Sequence, residues 1–247
     1  MSGHANSAVR LSKILTSMPG IQDQERAYKG WGRVFGLDYE GEQLAVARAV
    51  GERLVLANKE LLLLKAQLQQ TTLSKVLYEA PIAGVAHALS PLLIGQQWTH
   101  VKQHVTEAHR VAFAYLAELL PIEEIEVTSE QLAELRQLAL SMLEALDSPP
   151  VLPAQLDSLI RHHAEMILAA LDDYDIVGVK ALKRAQYVAW GEMREQEDEI
   201  VANNDSDAVT RLGKAWATVA DVCDKVTKVG KFGVLVHDVY KLIHGGG

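Results

Sequence analysis

Apolar residues recur along this chain at spacings of three and four, and no stretch alternates long enough to demand a strand. The longest patterned run is Glu42 to Leu77. It has no proline and one internal glycine, Gly51, and consists mostly of strong helix formers. Leu54, Leu61 and Leu68 recur every seven residues. Taken as d positions, they put Gly51, Asn58, Lys65 and Thr72 at a, where a polar side chain can set register and oligomer state at a cost in stability. Leu61 to Leu64 is apolar on every side, as in a helix buried by several neighbours. The pattern predicts the central helix of a bundle, with a self-associating coiled coil as the alternative.

A second long helix is predicted from Pro91 to Leu120. Ser90-Pro91 supplies an N-cap and a first helical residue. Ile94, Trp98, Val101, Val105, Ala108, Ala112, Tyr115 and Leu119 form its apolar stripe, and Pro121 ends it. Between the two, Pro81 breaks the chain near Ala80 and leaves a short helix, Pro81 to Leu89. Upstream, Ser7 to Ser17 reads as an amphipathic helix closed by Pro19-Gly20. Tyr28, Trp31 and Phe35 then share one helical face, interleaved with Arg26, Lys29 and Arg33. They suit either a helix packed on the bundle or a recognition segment for a partner.

Downstream, Thr128 and Gln131 form a capping-box pattern for a helix to Leu146. The loop-like SPPVLP, 148 to 153, marks a boundary. Helices are expected at Ala154 to Leu171, Asp175 to about Ala202 and, after the turn NNDSD, Asp207 to about His244. The fold class is all-α, a multi-helix bundle with two long antiparallel helices, about 42–78 and 91–120, as its spine. Residues 1–147 make an N-terminal helical region and 154–247 a C-terminal one, separate or joined in one continuous domain.

Composition narrows the function classes. Apolar residues make up 49% and charged residues 23%, and the net charge is −8. A general nucleic-acid binder needs a basic face, which this balance disfavours. The one cysteine, Cys223, allows neither an intrachain disulfide nor a cysteine-rich metal site, which fits a reducing cytoplasm. The first ten residues lack a signal-peptide pattern, and no run of 18 apolar residues occurs.

Charge is segregated near the C-terminus. Glu192 to Asp207 holds seven acids against Arg194, whereas Thr210 to Gly247 holds six bases against three acids. Val219, Val222, Val226, Val229, Val236, Tyr240 and Ile243 stripe this basic segment. Such a helix closes a bundle, enters a partner groove or lies on an anionic membrane.

Candidate chemistry is sparse. His100, His104 and Glu107 are spaced i, i+4, i+7 on the predicted second helix, a spacing that can hold a metal ion. His162, Glu165 and Asp172 can share a face, while His163 falls on an apolar stripe, as a core histidine does. Glu192, Glu195 and Glu199 align as a solvated acidic face. GxSxG, GxxxxGK[ST] and HExxH are absent, so no cofactor is implied.

The sequence thus favours a non-enzymatic helical interaction or assembly protein, through self-association or a protein partner. Its interaction candidates are Tyr28, Trp31, Phe35, Asn58, Leu61, Lys225, Lys228 and Lys231. The alternatives are a membrane-active effector using residues 210–247, and a metal-dependent helical enzyme using His100, His104 and Glu107.

Overall fold

The computed structural model describes residues 4–147 and 152–226. They form eleven α-helices and one ladder of two short strands, β1 (His4–Ala5) and β2 (Glu124–Ile125). The all-α reading holds. The helices gather into two compact units, Ala5–Glu123 and, together with His4, the chain from Glu124 onward. The division falls at Glu123–Glu124 and not at 148–153. The reason is packing: the helix after Glu124 buries its face on the later helices.

The N-terminal unit contains α1 (Ser7–Ser17), α2 (Ala27–Val34), α3 (Gln43–Gln69), α4 (Glu79–Ala88), α5 (Trp98–Lys102) and α6 (Glu107–Leu119). The side chain of Glu42 opens α3 by accepting from the Leu44 and Ala45 amides, which hold its carboxyl below the usual range. The buried stripe of α3 is Val46, Val50, Leu54, Ala57, Leu61, Leu64 and Leu68, a run of four- and three-residue steps. Its seam therefore combines Leu54, Leu61 and Leu68 with Val50, Ala57 and Leu64. The predicted polar positions Gly51, Asn58 and Lys65 sit one residue out of phase with it. The helix stops at Gln69, short of Leu77. There Thr71 turns its hydroxyl onto the Leu68 carbonyl and accepts from the Leu73 amide, so side-chain bonds replace the helical ones.

The predicted helix 91–120 is broken twice, so the antiparallel pair of long helices does not form. After a 3₁₀ turn at Pro91–Leu93, the backbone of Ile94 to Thr99 pairs with Asp23 to Tyr28. The Ala27 amide donates to Gln96 (2.8 Å) and the Trp98 amide to Glu25 (2.6 Å). These bonds use groups a continuous helix would need. The second break lies at Gln103–Thr106, where Thr106 caps α6 through the His109 amide.

The first break seats Trp98. Its ring meets Trp31 edge-on at 5.2 Å, and Phe35 stacks on the other ring's face at 5.2 Å. Gly30 makes the contact fit, because a Cβ there would lie 2.3 Å from the Trp98 ring. A similar approach brings α4 to α6. A Cβ at Gly84 would lie 2.5 Å from the His109 ring, whose Nδ1–H donates to the His104 carbonyl.

At the other end of this core, Asn6 caps α1 through the Val9 amide and donates to the Ala117 and Leu120 carbonyls of α6. One turn on, Arg10 is buried between Glu60 and Glu123, 2.8 Å from each. Ser7 donates to the same carboxylates or accepts from Arg10, and Gln67 donates to Glu123. The network ties α1 to α3 and to the end of α6.

The C-terminal unit is a more regular bundle of α7 (Ser129–Leu146), α8 (Ala154–Val177), α9 (Lys180–Glu195), the short α10 (Glu197–Ala202) and α11 (Asp207–Val226). The capping box of Thr128 and Gln131 is present on both sides. Three boundaries differ from expectation, one of them at Gln196, which splits the predicted 175–202 helix into α9 and α10. Helix α8 runs past Leu171 because Asp172 and Asp175 point to solvent, where they cost little. It ends at Gly178, whose φ of +69° and ψ of −153° suit glycine alone. Helix α9 accordingly starts at Lys180 and not at Asp175. Tyr174 accepts from the Val127 amide (2.8 Å) and Glu124 from the Val179 amide (3.1 Å), fastening the α8 end to the chain before α7.

Candidate interaction surface

The solvent face of α3 carries more apolar surface than its burial pattern requires. Leu62 is 65% exposed and Leu63 44%, so the Leu61 to Leu64 run is not enclosed on all sides. Leu44, Val55 and Leu62 fall within about 20° of one another at about 100° per residue, and all three are exposed. The last of these, Leu62, borders a groove of about 350 Å³ between α3 and the segment that opens α4. One wall is Asn58, Leu61, Leu62, Lys65 and Gln69 of α3. The other is Glu79, Ile82, Ala83 and Ala86 of α4, with Lys75 and Tyr78 at one end. Val76 and Leu77, between those two in the chain, are exposed apolar residues. On α6, Val111, Tyr115 and Leu119 repeat every four residues and are also exposed, followed by Ile122.

The sequence-chosen residues divide between core and surface. Trp31 is fully buried with Phe35 half-buried against it, and Tyr28 is half-buried, so the aromatic face is not freely exposed. Asn58 donates to the Leu54 and Leu89 carbonyls, at 2.9 Å each. It is thus committed to closing the end of α4 and is no free register residue. Leu61 is buried at 3% but forms the groove floor. Lys225 pairs with Asp221 on the outside of α11. Lys228 and Lys231 lie outside the described residues. Up to Val226 the apolar stripe of α11 is buried inside its own unit, including Val219, Val222 and Cys223. Burial pushes the Cys223 thiol up to about 12, far from a reactive thiolate. No helix among the described residues is long and apolar enough to cross a membrane.

The helix break removes the premise of the first histidine cluster. His100 lies on α5, His104 in the turn after it and Glu107 at the start of α6. Glu107 pairs with Arg110, and His104 stacks on His87 at 5.5 Å. Among the described residues no group of three His, Cys, Asp or Glu side chains is placed to hold a metal ion.

The second cluster is better ordered. His163 is completely buried, as its place on the apolar stripe predicted. Trp216 of α11 donates to its Nδ1 at 2.9 Å, so Nε2 carries the hydrogen and donates to Glu192 of α9 at 3.1 Å. Burial pushes the His163 imidazole down to about 4, against the pull of the Glu192 carboxylate. His162 lies 3.5 Å from the other Glu192 oxygen, so this carboxylate is engaged on both sides. The arrangement ties three helices together around one neutral imidazole. The predicted alignment of Glu192 with Glu195 and Glu199 is interrupted at Gln196, which puts Glu199 on α10, and it gives no sign of the partners that α8 and α11 bring to Glu192 and His163.

Comparison with protein-family models, curated protein sequences and solved structures returns no match for this chain.

Proposed function

We propose that the chain is a non-enzymatic helical interaction protein that docks a partner on its N-terminal unit. One observation carries this reading. Of the fifteen large apolar side chains exposed among the described residues, eleven lie on Ala5–Glu123 and four on the other unit. Scattered apolar residues are normal on any surface, but aligned ones beside a groove are a recurrent feature of interaction sites. Here they line up on the outer face of α3, along the groove to α4, and on α6. The regular capping and the engaged polar clusters supply stability, not chemistry.

Photocrosslinking in cells tests the reading. A benzophenone side chain at Leu62 or at Val111 is expected to give discrete higher-mass adducts. The same group at Tyr187, an exposed apolar position on the other unit, is expected to give none. Absence of adducts from both N-terminal positions, or equal adducts from all three, contradicts it.

A further inference from the structure

We infer that the groove between α3 and α4 receives one amphipathic helix of about three turns from a partner protein, with carboxylates along its flank. The inference rests on the N-terminal unit being a docking surface, and it specifies what docks there. Shape gives the first argument. Asn58, Leu61, Leu62, Lys65 and Gln69 follow i, i+3, i+4, i+7, i+11, and Glu79, Ile82, Ala83 and Ala86 follow i, i+3, i+4, i+7. Two helix faces set side by side make a cleft in which the ridges of a third helix can lie. From residue 58 to 69 the wall runs about 16 Å at about 1.5 Å per residue, or three turns. Ala83 and Ala86 leave room for a backbone to approach, and Leu62 and Ile82 supply apolar contact.

Extent gives the second. Between Lys75 and Tyr78, which line the groove, the chain carries Val76, 86% exposed, and Leu77, 52% exposed. A small molecule filling about 350 Å³ would leave these two bare, whereas a helix lying lengthwise would cover them.

Charge gives the third. Lys65 and Lys75 line the groove, and among the described residues neither has an ion-pair partner, although Glu79 stands four residues after Lys75. Helix α4 begins at Glu79 with no side-chain cap, and Tyr78 and Glu79 at this positive end line the groove. Counting Glu79, the groove is net positive on a chain of net charge −8. A local reversal of sign selects an acidic partner over a basic one.

The test uses the full chain and two labelled 16-residue peptides. Both carry leucines at i, i+3, i+4, i+7 and i+11, one with glutamates elsewhere and one with lysines. Fluorescence anisotropy at low salt is expected to show the glutamate peptide bound roughly tenfold more tightly. The double variant Lys65→Glu, Lys75→Glu is expected to invert that preference. Ala83→Trp, at an exposed position, is expected to abolish binding of both peptides without changing the melting temperature. Equal binding of the two peptides, or binding that survives Ala83→Trp, overturns the inference. So does retention on phosphatidylserine vesicles without peptide binding, or a dimer that the charge reversal dissolves. If the Leu62 crosslink persists while both peptides fail, the docking surface stands and the acidic helix does not. If the crosslink is also absent, both readings fall.

Discussion

The two units bury different polar networks, although each encloses a carboxylate, Glu60 in the first and Glu124 in the second. The N-terminal unit encloses a charged network, Arg10 between Glu60 and Glu123, and leaves eleven large apolar side chains in solvent. The C-terminal unit encloses a neutral imidazole, His163, held by an indole donor and a half-exposed carboxylate, and leaves four. Burying ions is costly, and a well-packed apolar replacement is often no worse for stability. Arg10 joins three separate segments, so its role is to fix how α1 meets α3 and the end of α6. The second unit packs as an ordinary bundle, with α7 against α8 and α11 and α8 against α9.

The largest effect should come from breaking the first network. Arg10→Met leaves Glu60 and Glu123 facing one another in the interior and should cost about 3–5 kcal/mol. Hydrogen exchange should show the loss confined to residues 5–123. Loss of protection spread evenly through 124–226 would erase the contrast between the units.

Acid should single out the other unit. The folded His163 titrates at about 4 and an unfolded histidine at about 6.5, so the unfolded state binds the proton first. Stability is therefore full above pH 6.5 or so and falls as pH drops toward 4, by on the order of 3 kcal/mol. Trp216 fluorescence during denaturant unfolding at pH 7 and pH 4.5 follows this. His163→Gln should flatten the dependence, and an unchanged slope would reject the neutral-imidazole account.

Smaller changes sharpen the picture. Trp216→Phe removes the donor to Nδ1 and should cost about 1–2 kcal/mol. It should also raise the His163 pKa, seen by NMR titration, because the charged ring no longer meets an opposing N–H. Thr128→Ala removes half of a capping box and should cost about 1 kcal/mol in thermal unfolding of the second unit.

What could be read from the sequence follows a physical divide. Local signals were legible: the Thr128 and Gln131 box, the Ser7–Ser17 helix, the core position of His163. Each depends on residues within a turn or two. The breaks in 91–120 were not, because Ile94 to Gln97 is taken out of helix by bonds that this segment and the start of α5 make to Asp23–Tyr28, some 70 positions away in sequence. The apolar stripe there misled, since Trp98 is buried from the separate short helix α5, against Trp31 of α2. The heptad at Leu54, Leu61 and Leu68 was real, but sevenfold spacing fixes only one row of the seam. Its companion row, Val50, Ala57 and Leu64, was assigned one residue out of phase to Gly51, Asn58 and Lys65. The groove was invisible for a further reason. It exists through the angle that the turn at 70–78 sets between α3 and α4, and no residue pattern encodes that angle.

The most direct test of the central claim separates stability from binding at the apolar face. Leu62, Val111 and Tyr115 are exposed, so replacing all three by Gln should shift unfolding free energy by no more than about 0.5 kcal/mol per site. The same variant, carrying the crosslinker at Val55, should lose the adducts that the parent chain forms from that position. A stable protein without adducts is the result predicted here; a protein that loses several kcal/mol, or one that keeps every adduct, contradicts it.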